Sequence, residues 1–494
     1  MKPIRLAASA ALFLLLSHAY GAQFYQTKTP YAPQQAASSY EAPPSGYRAV
    51  YTQMLARHGS RGLSSFKTEL ALYKLWLAAK QRDALLPMAG QLGPDLEEMM
   101  KANALLGYGV DGITKPGYGN ETALGAEEHA GLAQRMHARL PELFGAATDG
   151  AGARRIVVVS SGRDRATDSG YFFSRALVRQ QPGLAPLIDT GIDRATLYFH
   201  KLNVRQDGQV PEATLAYQRW IDSGELKAIE QAAHRQPRLK AAALTTLNAL
   251  FKPDFVATLD DASFTSSGSR TYSSADGKFT AKLAADGDAR IASATDAALA
   301  LYDMYAAAAG MRHELKADFT KYIQPTEARI YAEAEDTVAF YEKGPGIAEN
   351  GDVTWRMAAP LLDDFFAEAD AIAAGRRAHL AKLRFAHAEI VMPLANALGL
   401  GRQLPRATTY SYQNSSWRGE QVAPMAANIQ WDLYQNAAGR TLVRMLYNER
   451  ETAFQPACDH ARITPTSHFY DYAQLKACYM QNKNYQIAHT KRRF

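Results

Sequence analysis

The sequence predicts an α/β protein whose sheet is interrupted by a long, mainly helical insertion. Three observations carry this. Short runs rich in β-branched, aromatic and other apolar residues at 47–55 (YRAVYTQML), 154–161 (RRIVVVSS), 381–386 (AKLRFA) and 440–447 (RTLVRMLY) read as strands. Segments with apolar residues at helical spacing separate them. Between about 197 and 370 the chain turns to long Ala-rich helical stretches, with strand character on either side.

Residues 1–22 read as a secretory signal. Lys2 and Arg5 precede the apolar run 6–16 (LAASAALFLLL), and small residues follow it for cleavage. The run is shorter than the roughly 18 residues a membrane anchor requires, and no cysteine follows it to carry a lipid. No other stretch is apolar enough to span a bilayer, so the mature chain is expected to be exported, periplasmic or secreted, without a membrane partner. At 494 residues, two or three domains are allowed. The formal charge of +6 becomes +4 once Lys2 and Arg5 are removed. That balance suits an acidic partner and, taken alone, leaves nucleic acid, an anionic membrane surface and small polyanions open. The two cysteines, Cys458 and Cys478, form no metal-binding arrangement. In an oxidising compartment they would close a disulfide worth about 2–4 kcal/mol; buried free thiols are the alternative.

Residues 23–46, rich in Ala, Pro, Ser, Gln and Tyr, form an extended leader. The strand 47–55 then runs into Arg57-His58-Gly59-Ser60-Arg61, where Gly59 lets the backbone approach a ligand. Helices are expected over 68–80, 94–106 and 126–144, with the glycine-rich loop 107–119 between the last two. Glu127 and Glu128 lie near the start of the third helix, as its dipole prefers, and His129 lies on its surface. The Ile-Val-Val-Val run of 154–161 implies a central strand buried on both faces. It leads into the arginine-bearing junction 162–170 and a helix. Within the insertion, 293–311 and 325–342 are helical, and 263–287 is a surface loop or small hairpin. Strand 381–386 leads into His387-Ala388-Glu389 and a helix over 390–398, closed by Gly399. The last strand, 440–447, ends in Asn448-Glu449. The resulting division is an α/β catalytic domain over 47–195 and 371–494, interrupted by a helical domain over 196–370.

Three strand ends thus carry chemically active side chains, and they combine into one reaction. A phosphomonoester dianion needs fixed positive charge, which Arg57, Arg61 and Arg165 supply as planar forks. His58, kept neutral by those arginines, attacks phosphorus and forms a phosphohistidine. Glu389 protonates the departing alcohol and then activates water, while His387 donates a hydrogen bond to the phosphoryl group.

Arg57-His58-Gly59-Ser60-Arg61 resembles the signature of the histidine phosphatase superfamily. Together with His387-Ala388-Glu389 it resembles the acid phosphatase and phytase branch. Most of that branch has His-Asp at the second site, and His-Ala-Glu is similar to the multiple inositol polyphosphate phosphatases. Leu124-Gly125, the segment 160–169, 331–346 (YAEAEDTVAFYEKGPG) and 443–449 (VRMLYNE) extend the resemblance over nearly all of 47–450. It implies a Rossmann-like, phosphoglycerate mutase-like α/β domain with an inserted α domain. It also implies a hydrolase without metal or other cofactor, whose site lies between the two. By motif position, His58 is the nucleophile, Glu389 the proton donor, and Arg57, Arg61, Arg165 and His387 the phosphate ligands. The implied partner is a small phosphorylated substrate, phytate or a related inositol polyphosphate, and no nucleic acid.

Some residues depart from the pattern or allow two readings. The family's loop usually continues with a bulky residue and then proline. Here Gly62 and Leu63 follow Arg61, which predicts a looser loop. Arg165 is preferred to Arg163 by its spacing to Ser169. Lys67 is either a solvated lysine at a helix start or a ligand for a second phosphate, and His200 and Lys201 stand on similar terms. Two other functions remain: a broader acid phosphatase acting on sugar phosphates or other monoesters, and a non-catalytic polyanion-binding protein. Export speaks against a mutase-like transferase.

Overall fold

The computed structural model describes residues 23–145 and 154–481; the proposed signal segment 1–22 lies outside the described residues. The strands in chain order are β1 (Arg48–Arg57), β2 (Arg155–Ser160), β3 (Ile188–Ile192), β4 (Phe264–Thr265), β5 (Gly268–Ser273), β6 (Thr280–Ala285) and β7 (Arg290–Ile291). They continue with β8 (His379–Ala386), β9 (Asn428–Gln435), β10 (Thr441–Tyr447), β11 (Arg450–Glu451) and β12 (Phe469–Asp471). Eight form one mixed sheet in the order β11-β10-β9-β1-β8-β2-β3, with β12 paired to β10. The pairs β1/β8, β8/β2 and β2/β3 are parallel, and β1/β9 and β9/β10 are antiparallel.

Alternation along β1 places side chains on both faces of the sheet. Met54 and Ala56 join Ile156, Val158, Leu383 and Phe385 beneath the helices Ala123–Arg139 and Asp164–Gln180. Tyr51 and Leu55 join Trp431, Leu433 and Val443 beneath Ala359–Ala373 and Ala388–Ala397. A separate helical core unites Lys67–Gln81 and Leu92–Leu105 with Pro237–Asn248, Ala294–Gly310 and Pro325–Glu342. Two helices that precede β2 in sequence therefore pack with the helices of the insertion.

Several elements differ from the sequence reading. The helix expected over 126–144 is two, Ala123–Arg139 and Pro141–Gly145. Pro141 lacks the N–H that would continue the first and suits the opening of the second. β2 is not buried throughout; its residues alternate between buried and half-buried, one strand in from the edge. β9 was not anticipated, because Asn428, Gln430 and Asp432 break its apolar pattern. It is nevertheless buried along its whole length. Asp432 accepts from Thr52 Oγ1 (2.9 Å), Arg139 Nε (3.0 Å) and Arg444 Nη2 (3.1 Å), which compensates the desolvation of its charge. The edge strand β3, short and largely exposed, was also missed. The stretch 263–287 contains the hairpin β5/β6, and β4 pairs with β7 beside it.

Candidate active site

β1, β8 and β2 are neighbours and parallel, and their carboxyl ends are level: Arg57 pairs with Ala386, and Ser160 with Phe385. The loop after β1, the turn after β8 and the helix start after β2 therefore open at one sheet edge, the position where open α/β sheets bind ligands. His58 and His387 lie ring to ring, with centroids 5.5 Å apart.

His58 is buried and its Nδ1 is 2.9 Å from the Gly59 carbonyl oxygen. A carbonyl only accepts, so Nδ1 carries the proton and Nε2 keeps its lone pair. Burial first, and then Arg165, Arg57, Arg61 and His387, hold its pKa well below the usual imidazole range. The ring is neutral at physiological pH, as a nitrogen nucleophile must be. Burial brings the Arg57 guanidinium down to about 10 and that of Arg61 to about 9, so both stay charged. Arg165 is also lowered, again chiefly by burial. The Nε atoms of Arg57, Arg61 and Arg165 are buried without a protein hydrogen-bond partner. Three mutually repelling cations with unmet donors form a site built for a polyvalent oxyanion. Arg163, two residues earlier, is exposed.

The loop is pinned from behind by two buried carboxyl groups that the sequence reading did not single out. Glu121 Oε1 accepts from Gly59 N (2.9 Å) and Ser169 Oγ (2.7 Å). Glu128 accepts from Ser60 N (2.7 Å), Ser60 Oγ (2.8 Å) and Tyr31 N (2.7 Å). A Cβ on Gly59 would collide with Glu121 and the Gly125 backbone, so this glycine serves close contact with the following helix. The Gly62-Leu63 continuation is not loose. Gly62 N donates to Asn120 O (3.0 Å), Leu63 N donates to Asn103 Oδ1 (2.8 Å), and a Cβ at Gly62 would overlap Asn103. His129, expected on the helix surface, is fully buried edge-on against Phe385, with centroids 5.5 Å apart. Burial lowers its pKa to about 3.

His387 caps the helix Ala388–Ala397 in extended conformation, leaving Glu389 in the first turn. Its Nε2 lies 2.8 Å from Ser161 Oγ, while Nδ1 is buried without a partner. Ser161 Oγ also accepts the Arg163 N–H at 3.4 Å; with its hydroxyl proton on His387 Nε2, the ring would keep its own N–H at Nδ1 for a ligand. Glu389 faces Lys343 Nζ at 3.4 Å. Burial pushes the Glu389 carboxyl up, but Lys343, His200 and His387 outweigh it and hold it well below the usual range. Lys343 was missed, although it lies in the motif-bearing stretch 331–346. His200 is brought close: the Tyr198 ring stands 5.0 Å from it and 5.5 Å from His387. Burial lowers its pKa to about 4. Lys201 is exposed. Lys67 opens the helix Lys67–Gln81 and pairs with Asp288 and with Asp286 (3.7 Å). Cys458 and Cys478 form a disulfide, with Cα atoms 5.7 Å apart.

Known proteins are similar to this chain. The family model described as histidine phosphatase superfamily (branch 2) matches residues 50–448. The multiple inositol polyphosphate phosphatase of Bifidobacterium longum in complex with inositol hexasulfate is 32% identical, with a TM-score of 0.81 over 92% of this chain and 97% of that one. The same protein in complex with phosphate aligns over the same shares with a TM-score of 0.82. The phytase from D. castellii, 14% identical with a TM-score of 0.56, covers 94% of this chain and 84% of its own and shares the fold. A search of curated proteins returned no match. With the match running from β1 to the end of β10, and so through all three strand ends of the site, this chain belongs to branch 2 of the histidine phosphatase superfamily.

Proposed function

We propose that this protein hydrolyses phosphomonoesters of inositol polyphosphates, phytate among them, through a phosphohistidine at His58. The observation that carries the reading is the ring of three buried, unpartnered guanidinium Nε atoms around a neutral imidazole whose Nε2 lone pair is free. In this reading Arg57, Arg61, Arg165 and the Nδ1 proton of His387 hold the phosphoryl oxygens. His58 Nε2 bonds to phosphorus as the ester oxygen departs, and Glu389 supplies that oxygen's proton. Water, deprotonated by Glu389, then displaces the imidazole and releases inorganic phosphate. A bound phosphate dianion raises the Glu389 pKa and so favours its protonated form when a substrate is present. The B. longum protein, whose structure was obtained with an inositol hexasulfate, is the relative that points to this substrate class.

In the same reading the chain is exported after loss of residues 1–22, and its disulfide suits an oxidising compartment. No helix among the described residues is long and apolar enough to cross a membrane. The division into a catalytic part (47–195 and 371–494) and a helical insertion (196–370) belongs to the proposal as well; it is supported by the confinement of the eight-stranded sheet to the first part.

The test is release of inorganic phosphate from phytate and from a panel of sugar phosphates, by the wild type and by His58→Ala. Phytate preferred in kcat/KM, with loss of at least about a thousandfold in the variant, is the expected result. Equal rates across the panel would mean a general phosphatase, and unchanged hydrolysis by His58→Ala would remove the mechanism.

A further inference from the structure

The peptide group between Gly59 and Ser60 carries a hydrogen bond at each end. Its carbonyl oxygen accepts from His58 Nδ1 (2.9 Å), and its N–H donates to Glu128 Oε2 (2.7 Å). Glu128 Oε1 accepts from Ser60 Oγ (2.8 Å) and Tyr31 N (2.7 Å). His58, Ser60 and Glu128 are all buried. The helix that carries Glu128, Ala123–Arg139, also grips the far side of Ser60: its N-cap Thr122 donates to Ser60 O through N (2.9 Å) and Oγ1 (3.0 Å). A helix start thus sets the orientation of the Gly59–Ser60 peptide. Glu121 holds the preceding peptide at Gly59 N (2.9 Å), but the carbonyl of that peptide, His58 O, accepts from Ala426 N (3.0 Å) and not from an imidazole. Of the two carboxyl groups behind the loop, Glu128 is the one that reaches the imidazole through a peptide. Burial raises its pKa, against its three hydrogen bonds and Arg57. The charged groups facing it are Arg57 on β1 and Glu121. Two of its three donors are backbone N–H groups, which only donate, so the carboxylate is the form this cage of donors fits.

Resting on the function proposed above, we infer that Glu128 is a positioning residue for phosphoryl transfer: through the Gly59–Ser60 peptide it holds the His58 imidazole in its Nδ1–H tautomer and stabilises the positive charge the ring gains on phosphorylation. When Nε2 gives its lone pair to phosphorus, the P–O bond to the leaving alcohol breaks and its electron pair stays on the departing oxygen. Nδ1 keeps its proton, so the ring passes from neutral to cationic. The Gly59 carbonyl oxygen is the acceptor that faces this charge, and an anion on the N–H side of the same peptide polarises that carbonyl in the favourable sense. The hydrogen bond is therefore stronger in the transition state than in the ground state, which raises kcat without lowering KM. A carboxylate directly on Nδ1 would stabilise the cation in the same way, but would also raise the imidazole pKa more strongly. The intervening peptide weakens that field and leaves the ring neutral before reaction.

The experiment compares the full mature chain with Glu128→Gln, with thermal melts as the control for folding. Three quantities are read: single-turnover release of p-nitrophenolate from p-nitrophenyl phosphate with enzyme in excess, the inhibition constant of inorganic phosphate, and the His58 Nδ1–H proton resonance in protein carrying nitrogen-labelled histidine, assigned by its loss in His58→Ala. In Glu128→Gln the single-turnover rate should fall by about tenfold or more, since a charge-assisted hydrogen bond is worth at least that factor. The phosphate constant should change by less than about twofold, because the three guanidinium groups remain, and the resonance should move upfield as its hydrogen bond weakens. A general loosening of the loop would instead weaken phosphate inhibition along with the rate. Should Glu128→Gln melt far below the wild type, Ser60→Ala decides, since it takes one donor from the carboxylate and keeps the Ser60 N–H. Loss of that donor raises the Glu128 pKa. A step that needs the carboxylate is lost as pH falls through that pKa, so the acidic limb of the single-turnover rate should move to higher pH. An unchanged rate and resonance in Glu128→Gln, phosphate inhibition weakened in proportion to the rate, or an unmoved acidic limb in Ser60→Ala would overturn the inference. A wild type that hydrolyses neither p-nitrophenyl phosphate nor phytate, while the resonance still moves in Glu128→Gln, would overturn only the functional reading on which it stands.

Discussion

Glu389 is held in a charge state that conflicts with its proposed role as proton donor until a substrate arrives. Its carboxyl is held low mainly against burial by Lys343 Nζ at 3.4 Å, yet a proton donor works only while protonated. Removing Lys343 removes the largest opposing charge and raises the Glu389 pKa. Activity that depends on the acid form is lost as pH rises through that pKa, so Lys343→Met should move the alkaline limb of the kcat profile on phytate to higher pH. An unmoved limb would separate Lys343 from proton transfer. Glu389→Gln should lower kcat on phytate by about 10²–10⁴-fold, and by much less on p-nitrophenyl phosphate, whose phenolate leaves without a proton. Equal losses on both substrates would assign Glu389 a role in binding instead.

At the scale of the element, the loop after β1 is held by hydrogen bonds from four of its backbone N–H groups. Gly59, Ser60, Gly62 and Leu63 all donate their N–H groups, to Glu121, Glu128, Asn120 and Asn103. A side chain at position 62 has no room, since its Cβ would overlap Asn103 Oδ1, the acceptor for Leu63 N. Gly62→Ala should therefore cost about 1–3 kcal/mol of stability through overpacking, read as a lower melting temperature, together with reduced turnover. A variant as stable and active as the wild type would mean that Asn103 yields without cost. The usual bulky-proline continuation is replaced here by hydrogen bonds and close packing, which hold the loop by a different route.

At the scale of the whole molecule, the site depends on segments far apart in sequence. The leader reaches it through Thr27 O, which accepts from Arg57 Nη1 at 2.5 Å, and through Tyr31 N on Glu128. The helical core supplies Lys343 from the end of Pro325–Glu342. The disulfide takes part in none of these contacts. It ties the turn Pro456–Ala461 to the helix Tyr472–Gln481 and closes a loop with a sequence separation of 20. Cys458→Ser/Cys478→Ser should therefore lose about 3 kcal/mol of stability through the freed chain while keeping kcat near its original value. A large fall in kcat below the melting transition would show that the C-terminal helix communicates with the site.

The proposed catalytic set was legible in the sequence because reaction chemistry restricts residue type at strand ends. A histidine between two arginines, a third arginine after a strand of Ile and Val, and His387-Ala388-Glu389 after another strand needed only the α/β rule to be brought together. What supports them was not legible. Glu121 and Glu128 look like ordinary acids at a helix start, and Lys343 like a surface lysine after a helix, until packing buries the first two and turns the third toward Glu389. β9 was hidden because hydrophobic alternation is the signal for a strand, and its polar residues are buried only by virtue of Arg139, Arg444 and Thr52, which lie on other elements. His129 read as solvent-facing for the converse reason, since a helix shows which positions share a face but not which face the sheet will cover. The sequence by itself determined the fold class and pointed to the proposed nucleophile and clamp, since these follow from residue type and local period. Only the tertiary structure decided the lowered pKa of Glu389 and the anchoring of Gly62-Leu63, because each depends on groups brought close from distant parts of the chain.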